Sequence, residues 1–508
     1  ALIHTLDNPN AYGTSAGDSF GHSVAITDTY AIVGAWDEDE GINDVASGKV
    51  YMFQTASGTL YRTINNPNAY GTVTNDRFGR RLIATANYII VCADGESDAA
   101  AGGGYQSGKA YVYNSNGGSL LTTINNPNAY GTSANDQFGL VAAADAASDY
   151  FVISARAEDD AGGTESGKAY IYSGLGTLLH TLDNPNAYGT SQTDYFGAGL
   201  AINSQYTAVN AWQEDDAGGN NSGKVYIYNT VTGALLHTLD NPNPYGTSAG
   251  DNFGRSVSIS DTYAIVGAYA EDDAGGSNSG KAYIYNNATG ALLHTLDNPN
   301  DYDTSAGDNF GYSVAISDTY AIVSAHEEDD AGGTGSGKAY IYNTVTGALL
   351  HTLDNPNVYD TSFVDFFGWS VAITDTYAIV GARYEDDASG TNSGKAYIYN
   401  NATGALLHTL DNPNAYGTSA SDLFGESVAI SDTYAIVGAY AEDDAGGPNS
   451  GKAYIYDNAT GALLHTLDNP NAYDTSEADS FGISVAITDT YAIVSAYFED
   501  DAGGTNSG

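Results

Sequence analysis

The chain of 508 residues contains a single cysteine, Cys92. A lone thiol excludes a disulfide framework of the kind that holds small secreted domains together. Cys92 lies in the apolar run Tyr-Ile-Ile-Val-Cys-Ala, where other parts of the chain place Gly, Ser or Asn. We therefore expect Cys92 to fill space in a buried strand as a small apolar residue.

Basic residues are also scarce. Lys and Arg total 15 against 62 Asp and Glu, and the formal net charge is -47. This balance repels nucleic acid and anionic lipid surfaces, and it favours cations or basic partners. No stretch approaches the ~18 unbroken apolar residues of a membrane-spanning helix. The sequence predicts no nucleic-acid partner and no membrane insertion.

Signals for helices and for catalysis are missing. Apolar residues do not recur at helical spacing, and the 61 glycines are too frequent for helices. No nucleophile, base and orienting acid cluster at one position of the chain. The string from Gly162 to Lys168 imitates a phosphate-binding loop, but Ala169 replaces the required Ser or Thr. We predict that the protein is not an enzyme.

The chain instead consists of one unit of about 57 residues written nine times. Each copy carries Phe-Gly, and successive spacings are 58, 60, 58 and then 57 five times. A core shared between neighbouring units is typical of such repeats, so we interpret residues 1–508 as a single body. The phenylalanines are Phe20, Phe78, Phe138, Phe196, Phe253, Phe310, Phe367, Phe424 and Phe481.

Residues 254–310 serve as the reference copy. Residues 254–260 alternate in polarity, and residues 263–268 are continuously apolar and rich in β-branched side chains. Residues 281–285 read Lys-Ala-Tyr-Ile-Tyr, and residues 291–296 read Ala-Leu-Leu-His-Thr-Leu. Each of these segments predicts a strand. Four short antiparallel strands per unit are typical of a β-propeller blade.

The motif Phe-Gly with Ser-Val-Ala-Ile, followed by Ile-Val-Gly-Ala-Tyr, resembles the FG-GAP repeat of integrin-type propellers. It is most similar to the second variety of that repeat, found in bacterial and viral proteins, and the resemblance covers essentially the whole chain. It implies an all-β propeller that serves adhesion, recognition or assembly. Integrin blades hold calcium between the first two strands, but that connection is here only Ser-Asp-Thr or Thr-Asp-Thr. The resemblance therefore does not imply calcium at that place.

The ends of the chain bear on the number of blades. Residues 1–6 match a fourth strand, and the chain stops at Gly508, where a third strand should begin. An N-terminal strand that completes the last blade would close the ring and remove two sheet edges. We predict nine blades closed in this way. A ring of seven or eight blades with leftover units, or a longer array, remains an alternative. Because the chain begins with Ala1 inside a repeat, we interpret it as a mature or partial sequence.

The long loops are expected on one face of the propeller, and they carry nearly all the negative charge. An Asp stands two residues before Phe in all nine copies, and Glu-Asp-Asp follows the second strand in seven. One interpretation is a ring of oxygen ligands for Ca²⁺, the one candidate cofactor. The other is that the Asp caps its own turn and that Glu-Asp-Asp is solvated. The candidate ligands are Asp251, Glu271, Asp272, Asp273, Asp308, Glu328, Asp329, Asp330, Asp365, Glu385, Asp386, Asp387, Asp422, Glu442, Asp443, Asp444 and Asp479.

Lysine and histidine recur at fixed positions of the repeat, and a few tryptophans and arginines depart from it. Every lysine follows Ser-Gly after an acidic loop, and we expect it to relieve local repulsion in a structural role. Most histidines repeat in the fourth strand, where a role on the outer surface is expected. Trp36, Trp212 and the pair Arg80-Arg81 depart from the repeat, and we interpret them as products of relaxed constraint.

These observations favour a recognition or adhesion module, exposed outside the cell or on the surface of a particle. Its acidic long-loop face would bind a protein or a glycan. The alternative from another class is a structural building block of a viral fibre, a capsid decoration or an extracellular filament. In that case the long-loop face would contact neighbouring subunits.

Overall fold

The structure is a computed structural model, and its described residues form β-strands joined by turns and loops. They contain no helix. The described residues are 9, 19–27, 29–38, 46–68, 75–85, 87–97, 106–128, 134–145, 148–159, 164–186, 192–216, 219–243, 248–273, 276–300, 305–330, 333–356, 364–386, 390–413, 420–443, 449–468, 480–487, 489 and 492–494.

Eight four-stranded antiparallel sheets follow one another along the chain, and we number them as blades 1–8. In each blade the strands are hydrogen-bonded in chain order. Blade 1 holds β1 (Phe20–Ile26), β2 (Tyr30–Ala35), β3 (Lys49–Gln54) and β4 (Leu60–Asn65). Blade 2 holds β5 (Arg81–Ala84), β6 (Tyr88–Ala93), β7 (Lys109–Asn114) and β8 (Leu120–Asn125). Blade 3 holds β9 (Val141–Ala144), β10 (Phe151–Ala155), β11 (Lys168–Tyr172) and β12 (Leu178–Asp183). Blade 4 holds β13 (Leu200–Ile202), β14 (Tyr206–Ala211), β15 (Lys224–Asn229) and β16 (Leu235–Asp240).

The second half of the chain repeats the arrangement with less variation in sequence. Blade 5 holds β17 (Ser256–Ile259), β18 (Tyr263–Ala268), β19 (Lys281–Asn286) and β20 (Leu292–Asp297). Blade 6 holds β21 (Val314–Ile316), β22 (Tyr320–Ala325), β23 (Lys338–Asn343) and β24 (Leu349–Asp354). Blade 7 holds β25 (Phe367–Ile373), β26 (Tyr377–Ala382), β27 (Lys395–Asn400) and β28 (Leu406–Asp411). Blade 8 holds β29 (Ser427–Ile430), β30 (Tyr434–Ala439), β31 (Lys452–Asp457) and β32 (Leu463–Asp468).

The prediction of nine blades is wrong in number. Among the described residues, the ninth Phe-Gly copy contributes a two-stranded sheet, β33 (Val485–Ile487) with β34 (Ala492–Val494). The predicted closing strand at residues 1–6 lies outside the described residues. The two-stranded sheet contacts blade 8 through β29 and β30, and β34 contacts β1. The two-stranded sheet therefore lies between blade 8 and blade 1 and joins the two ends of the array into a ring.

Burial follows the position of each strand in its blade. The first strands contact one another from blade to blade, so they form the inner wall of the ring. The second and third strands are almost completely buried, as the apolar run of residues 263–268 predicts. The fourth strand is largely exposed: Leu292, at 40%, and Leu293 point to solvent, whereas Leu296 is buried. The order of burial is that of a propeller blade seen from the axis outwards.

The apolar cores lie between blades. The cluster between blades 5 and 6 joins Ile265 and Ile284 of one blade to Phe310 and Ala325 of the next. The alanine at the end of the second strand, which recurs in every copy, is completely buried in each of the eight blades. Each blade thus supplies half of a core that its neighbour completes, which explains why one unit cannot fold alone.

The glycine of Ser-Gly-Lys has a specific role at this junction. Gly280 forms a parallel bridge with Phe310 of the next unit, and its backbone φ is +80°. A Cβ at Gly280 would collide with the backbone oxygen and nitrogen of Phe310. Glycine is required because the chain turns left-handed here and the next blade packs directly against it.

Candidate recognition surface

The glutamate of every Glu-Asp-Asp segment within the described residues is completely buried, and a solvated loop is therefore the wrong interpretation for it. In blade 5, both carboxylate oxygens of Glu271 accept hydrogen bonds from the Tyr283 hydroxyl, at 2.8 and 2.6 Å. The Lys281 ammonium lies 3.6 Å from Glu271 Oε1. The corresponding lysines are 4–8% exposed, so each lysine meets the carboxylate of the acidic loop in the interior of the blade.

This Glu–Lys–Tyr cluster occurs in every blade. Glutamate and lysine are 2.5–3.6 Å apart across the eight copies. Burial raises the pKa of Glu271 to about 8, and it raises the pKa of Glu328 to about 7, with the nearby lysine and tyrosine opposing it. A buried charge of this kind is tolerated only with paired partners. The cluster is a structural device that closes the loop between the second and third strands.

The aspartate two residues before Phe is likewise buried. Asp308 is 2% exposed, and its Oδ2 accepts hydrogen bonds from the side-chain amides of Asn298 at 2.7 Å and Asn300 at 2.8 Å. The two amides belong to the Asn-Pro-Asn motif that precedes it. The predicted local hydrogen bonding is therefore present, but the donors are side-chain amides. Burial raises the pKa of Asp308 to about 6.

The remaining candidate ligands cap turns within their own loops. Asp272 accepts a hydrogen bond from the Asn278 backbone N–H at 2.9 Å, and Asp273 accepts one from the Gly276 N–H at 3.1 Å. Asp329, Asp330, Asp386 and Asp443 accept equivalent bonds. Asp251, Asp365 and Asp422 are held by asparagine amides like Asp308, and Glu385 and Glu442 are buried like Glu271. Asp387, Asp444 and Asp479 lie outside the described residues.

Within the described ranges, no group of three or more His, Cys, Asp or Glu side chains has a geometry suited to a metal ion. The structure therefore does not bring the candidate ligands together around one point. Calcium binding stays a prediction.

The positions at which the repeats differ in sequence define a second candidate surface. Three positions at the long-loop ends of the two inner strands change from blade to blade, although their surroundings are nearly constant. They are the residue before Phe-Gly, the residue after Phe-Gly and the residue after the invariant alanine. We call these side chains the belt. In chain order they are Ser19, His22, Trp36, Arg77, Arg80, Asp94, Gln137, Leu140, Arg156, Tyr195, Ala198, Trp212, Asn252, Arg255, Tyr269, Asn309, Tyr312, His326, Phe366, Trp369, Arg383, Leu423, Glu426 and Tyr440.

The belt connects one blade to the next through contacts between side chains. The residue after the alanine of one blade meets the residue after Phe-Gly of the following blade. The Arg80 guanidinium lies 5.5 Å from the Trp36 ring, and the Arg255 guanidinium lies 5.5 Å from the Trp212 ring. The same position pairs Tyr269 with Tyr312, His326 with Trp369 and Arg383 with Glu426.

The composition of the belt differs from that of the chain. All three tryptophans of the protein, Trp36, Trp212 and Trp369, lie in it. It also holds five arginines, whereas the lysines are used in the buried clusters. Tryptophan, tyrosine and arginine are the residues that dominate the energy of protein recognition sites. Five arginines and all three tryptophans of this acidic protein thus lie in the belt.

The densest part of the belt spans blades 6 to 8. The Arg383 guanidinium lies 3.3 Å from the centre of the Trp369 ring and donates an ion-pair hydrogen bond of 3.0 Å to Glu426. Tyr312 packs against His326 with ring centres 4.2 Å apart and against Trp369 at 5.4 Å. These cation–π and aromatic contacts order the cluster.

The residue before Phe-Gly is held in the left-handed backbone region in every blade. Tyr195 has φ 52° and Phe366 has φ 53°, and Val364 two residues earlier has φ 61°. Blades 5 and 6 instead place Asn252 and Asn309 before Phe-Gly and Gly250 and Gly307 two residues earlier, and asparagine and glycine adopt this conformation at little cost. Bulky and β-branched residues adopt the left-handed conformation at a higher cost in free energy, and such strain is concentrated at functional sites.

The sequence argument missed this surface because it interpreted Trp36, Trp212 and Arg80 as products of relaxed constraint. The structure places all three in the belt, whereas Arg81 lies outside it in β5. A signal was present in the sequence: among nearly identical copies, the differences recur at fixed positions relative to Phe-Gly. Those positions lie far apart in the chain and meet only when the blades pack.

The comparisons with known proteins agree with the motif. The FG-GAP repeat family matches residues 10–53, 186–228, 244–285, 301–342, 359–399, 414–456 and 471–508. The chain belongs to the FG-GAP repeat family. It is an all-β propeller of four-stranded antiparallel blades, and that fold is consistent with a non-enzymatic binding or recognition module.

Two solved structures resemble the chain at low similarity. One is described as a crystal structure of the eukaryotic initiation factor, with 11% identity, a TM-score of 0.49 and coverage of 92% of this chain and 91% of the other. The other is BamB from Moraxella catarrhalis, with 14% identity, a TM-score of 0.40 and coverage of 80% and 90%. No curated protein matches the chain in sequence. Among the described residues, no helix is long and apolar enough to cross a membrane.

Proposed function

We propose that the protein is a non-enzymatic recognition module and that the belt, rather than the acidic loops, is its binding surface. The observation that carries this proposal is that the three belt positions hold different side chains from blade to blade, whereas the adjacent Glu–Lys–Tyr cluster is the same in all eight blades. If the belt served only the fold, one set of side chains would suffice for all blades. Distinct side chains at equivalent positions are what a single, asymmetric partner requires.

The chemistry of the belt supports the same proposal. Its aromatic and arginine side chains are half-buried, as Trp212 and Arg383 are, so they present ordered surface to a ligand at low entropic cost. The acidic residues around the belt instead form internal hydrogen bonds. Their role is to hold the loops that carry the variable side chains.

We place the protein outside the cell or on the surface of a particle, with a protein or glycan as partner. The near absence of cysteine does not oppose this location, because the core between blades needs no disulfide. The net charge of -47 disfavours nucleic acids and anionic membranes as partners.

The test is binding of the purified protein to an array of extracellular glycans and proteins. A belt variant, Arg156→Ala/Trp212→Ala/Arg255→Ala/Trp369→Ala, should lose the signals of the unchanged protein. The matched control is Arg62→Ala, because Arg62 is an exposed arginine on the outer strand β4 and lies outside the belt. The control should bind as the unchanged protein does.

Circular dichroism and the melting temperature will show whether the belt variant is folded. Undiminished binding by a folded belt variant would contradict the proposal. Absence of any array signal for the unchanged protein, together with its assembly into filaments, would instead favour a structural building block.

A further inference from the structure

The arginines of the belt fall into two groups. Arg77 and Arg80 lie 3.4 and 2.7 Å from Asp94, and Arg383 lies 3.0 Å from Glu426, so each of these three arginines has an ion-pair partner. Arg156 and Arg255 have no ion-pair partner in the part of the chain that the structure describes. They are unbalanced cations in a protein of net charge -47.

The two unpaired arginines flank blade 4, and each lies over an aromatic ring. The Arg156 guanidinium is 5.7 Å from the centre of the Tyr195 ring, and the Arg255 guanidinium is 5.5 Å from that of Trp212. Arg255 is exposed, and the other three side chains are half-buried. Blade 4 therefore presents an aromatic–arginine pair on each of its two sides.

The one further belt side chain of blade 4 is small. The position after Phe-Gly in blade 4 is Ala198, the smallest side chain at that position in the eight blades. Elsewhere the position holds side chains as large as Arg80, Tyr312 and Trp369, which contact their neighbours across the belt. With alanine there, no side chain of the belt bridges the two pairs of blade 4.

Hydrogen bonds of Asn210 and Tyr195 hold the backbone and side chains of blade 4 in place around these two pairs. Asn210 replaces the Gly, Ser or Cys of other blades, and its amide donates a 2.7 Å hydrogen bond to the Gly254 carbonyl oxygen. Its Oδ1 accepts a hydrogen bond from the Gly199 N–H. Tyr195 is held at φ 52°, and its hydroxyl donates to Glu165 at 3.1 Å. The Glu165 carboxylate is thus engaged by Tyr195.

We infer that Arg156, Tyr195, Ala198, Trp212 and Arg255 form a binding site for a carboxylated sugar, a uronic or sialic acid residue of an acidic glycan. This inference rests on the proposed function of the belt. A guanidinium binds a carboxylate through two parallel hydrogen bonds. The flat C–H face of a sugar ring packs on an aromatic ring through burial of apolar surface and dispersion.

Charge favours a sugar over an acidic peptide. A carboxylated sugar residue carries one carboxylate on an otherwise neutral ring. It can contact the two arginines while it brings little further negative charge near the acidic loops. A segment rich in Asp and Glu would face that repulsion over the Debye length of about 8 Å at physiological salt. The occurrence of the site in blade 4 alone predicts one such sugar per chain.

The experiment titrates the protein with 3′-sialyllactose and with trigalacturonate, which represent the two sources of the carboxylate. Lactose and maltotriose are the neutral counterparts, and an acetylated Gly-Asp-Gly peptide is the peptide arm. Tryptophan fluorescence reports the belt directly, because all three tryptophans lie in it. Calorimetry gives the stoichiometry.

We expect saturable binding of at least one acidic sugar at one molecule per chain, at least about tenfold tighter than its neutral counterpart. Arg255→Ala and Arg156→Ala should each weaken it about tenfold or more, and Arg62→Ala should leave it unchanged. Trp212→Phe should remove most of the fluorescence change while the calorimetric signal persists.

Three results would overturn the inference: no saturable binding of either acidic sugar, equal binding of the neutral sugar or the peptide, or undiminished binding by folded Arg255→Ala. The array separates this failure from failure of the proposed function. Signals that disappear in the belt variant would uphold the belt as the recognition surface even if no acidic sugar binds.

Discussion

The Glu–Lys–Tyr clusters and the belt lie side by side on the long-loop face, yet the nine copies of the repeat vary only one of them. Glu328, Lys338 and Tyr340 have counterparts in all eight blades, with the same buried hydrogen bonds. A few residues away, His326 is replaced by Trp, Asp, Arg or Tyr in other blades. The difference teaches that constancy among repeats marks the parts that hold the propeller together, and variation marks the part available for a partner.

The largest expected effect on the free energy of unfolding comes from removing the carboxylate of one Glu–Lys–Tyr cluster. Glu328→Gln leaves the Lys338 ammonium without its buried carboxylate, and this should lower the free energy of unfolding by about 3 kcal/mol. The matched control is Glu327→Gln, because the neighbouring Glu327 side chain is 44% exposed. Urea unfolding measures both.

The control should change the free energy of unfolding by less than about 0.5 kcal/mol. If Glu328→Gln is as mild as Glu327→Gln, the clusters do not hold the loops and the comparison fails.

The buried aspartates make stability depend on pH. Burial raises the pKa of Asp76 and Asp136 to about 7 and that of Asp194, Asp251 and Asp308 to about 6, against an ordinary value of 3.8. The folded state therefore binds protons more tightly than the unfolded chain. Stability that is present below the ordinary pKa is lost as the pH rises through 6 to 7. The melting temperature should be higher at pH 5 than at pH 8.

One variant isolates this effect from the general repulsion of the acidic chain. Asp308→Asn should reduce the loss of stability between pH 5 and pH 8 by on the order of 1 kcal/mol, because only about one unit of the pKa shift lies above pH 5. Asp272→Asn removes the same charge from an exposed position and should have little effect. Equal pH profiles for the two variants would show that burial of Asp308 is not responsible.

A smaller effect is expected where the belt strains its backbone. Val364 is held at φ 61°, whereas blades 2 and 3 place Asn75 and Asn135 at the same position with φ 61° and 66°. Val364→Asn should therefore raise the free energy of unfolding by about 0.5–1 kcal/mol. Thermal unfolding of this variant measures the gain, and a loss of stability would mean that packing of Val364 outweighs the strain.

The smallest effect concerns calcium. The Asp272 and Asp273 carboxylates accept backbone N–H bonds, so an ion would have to compete with them. We expect equal melting temperatures in millimolar CaCl₂ and in NaCl of matched ionic strength. A calcium-specific rise that disappears in Asp272→Asn/Asp273→Asn would instead place the predicted calcium site in this loop.

The strands could be predicted from the sequence because alternation and apolar runs are local signals. In blade 5 the predicted strand 263–268 is confirmed residue for residue, and the other three are confirmed within two residues at each end. The number of blades could not be predicted by counting Phe-Gly, because that motif marks only the start of a unit. The ninth copy contributes β33 and β34 without further described strands.

The buried glutamates and the belt were beyond local reasoning for a physical reason. Glu-Asp-Asp has the composition of a solvated loop, and only the return of the chain to β19 brings Lys281 and Tyr283 to Glu271. Belt partners such as Trp212 and Arg255 belong to different blades and meet only through the packing of whole sheets.

The most direct test compares the belt variant Arg156→Ala/Trp212→Ala/Arg255→Ala/Trp369→Ala with the single change Glu328→Gln in urea unfolding. The account predicts that four substitutions in the belt lower the free energy of unfolding by less than one substitution in a buried cluster. A larger loss from the belt variant would contradict it, because the belt would then be part of what holds the propeller together.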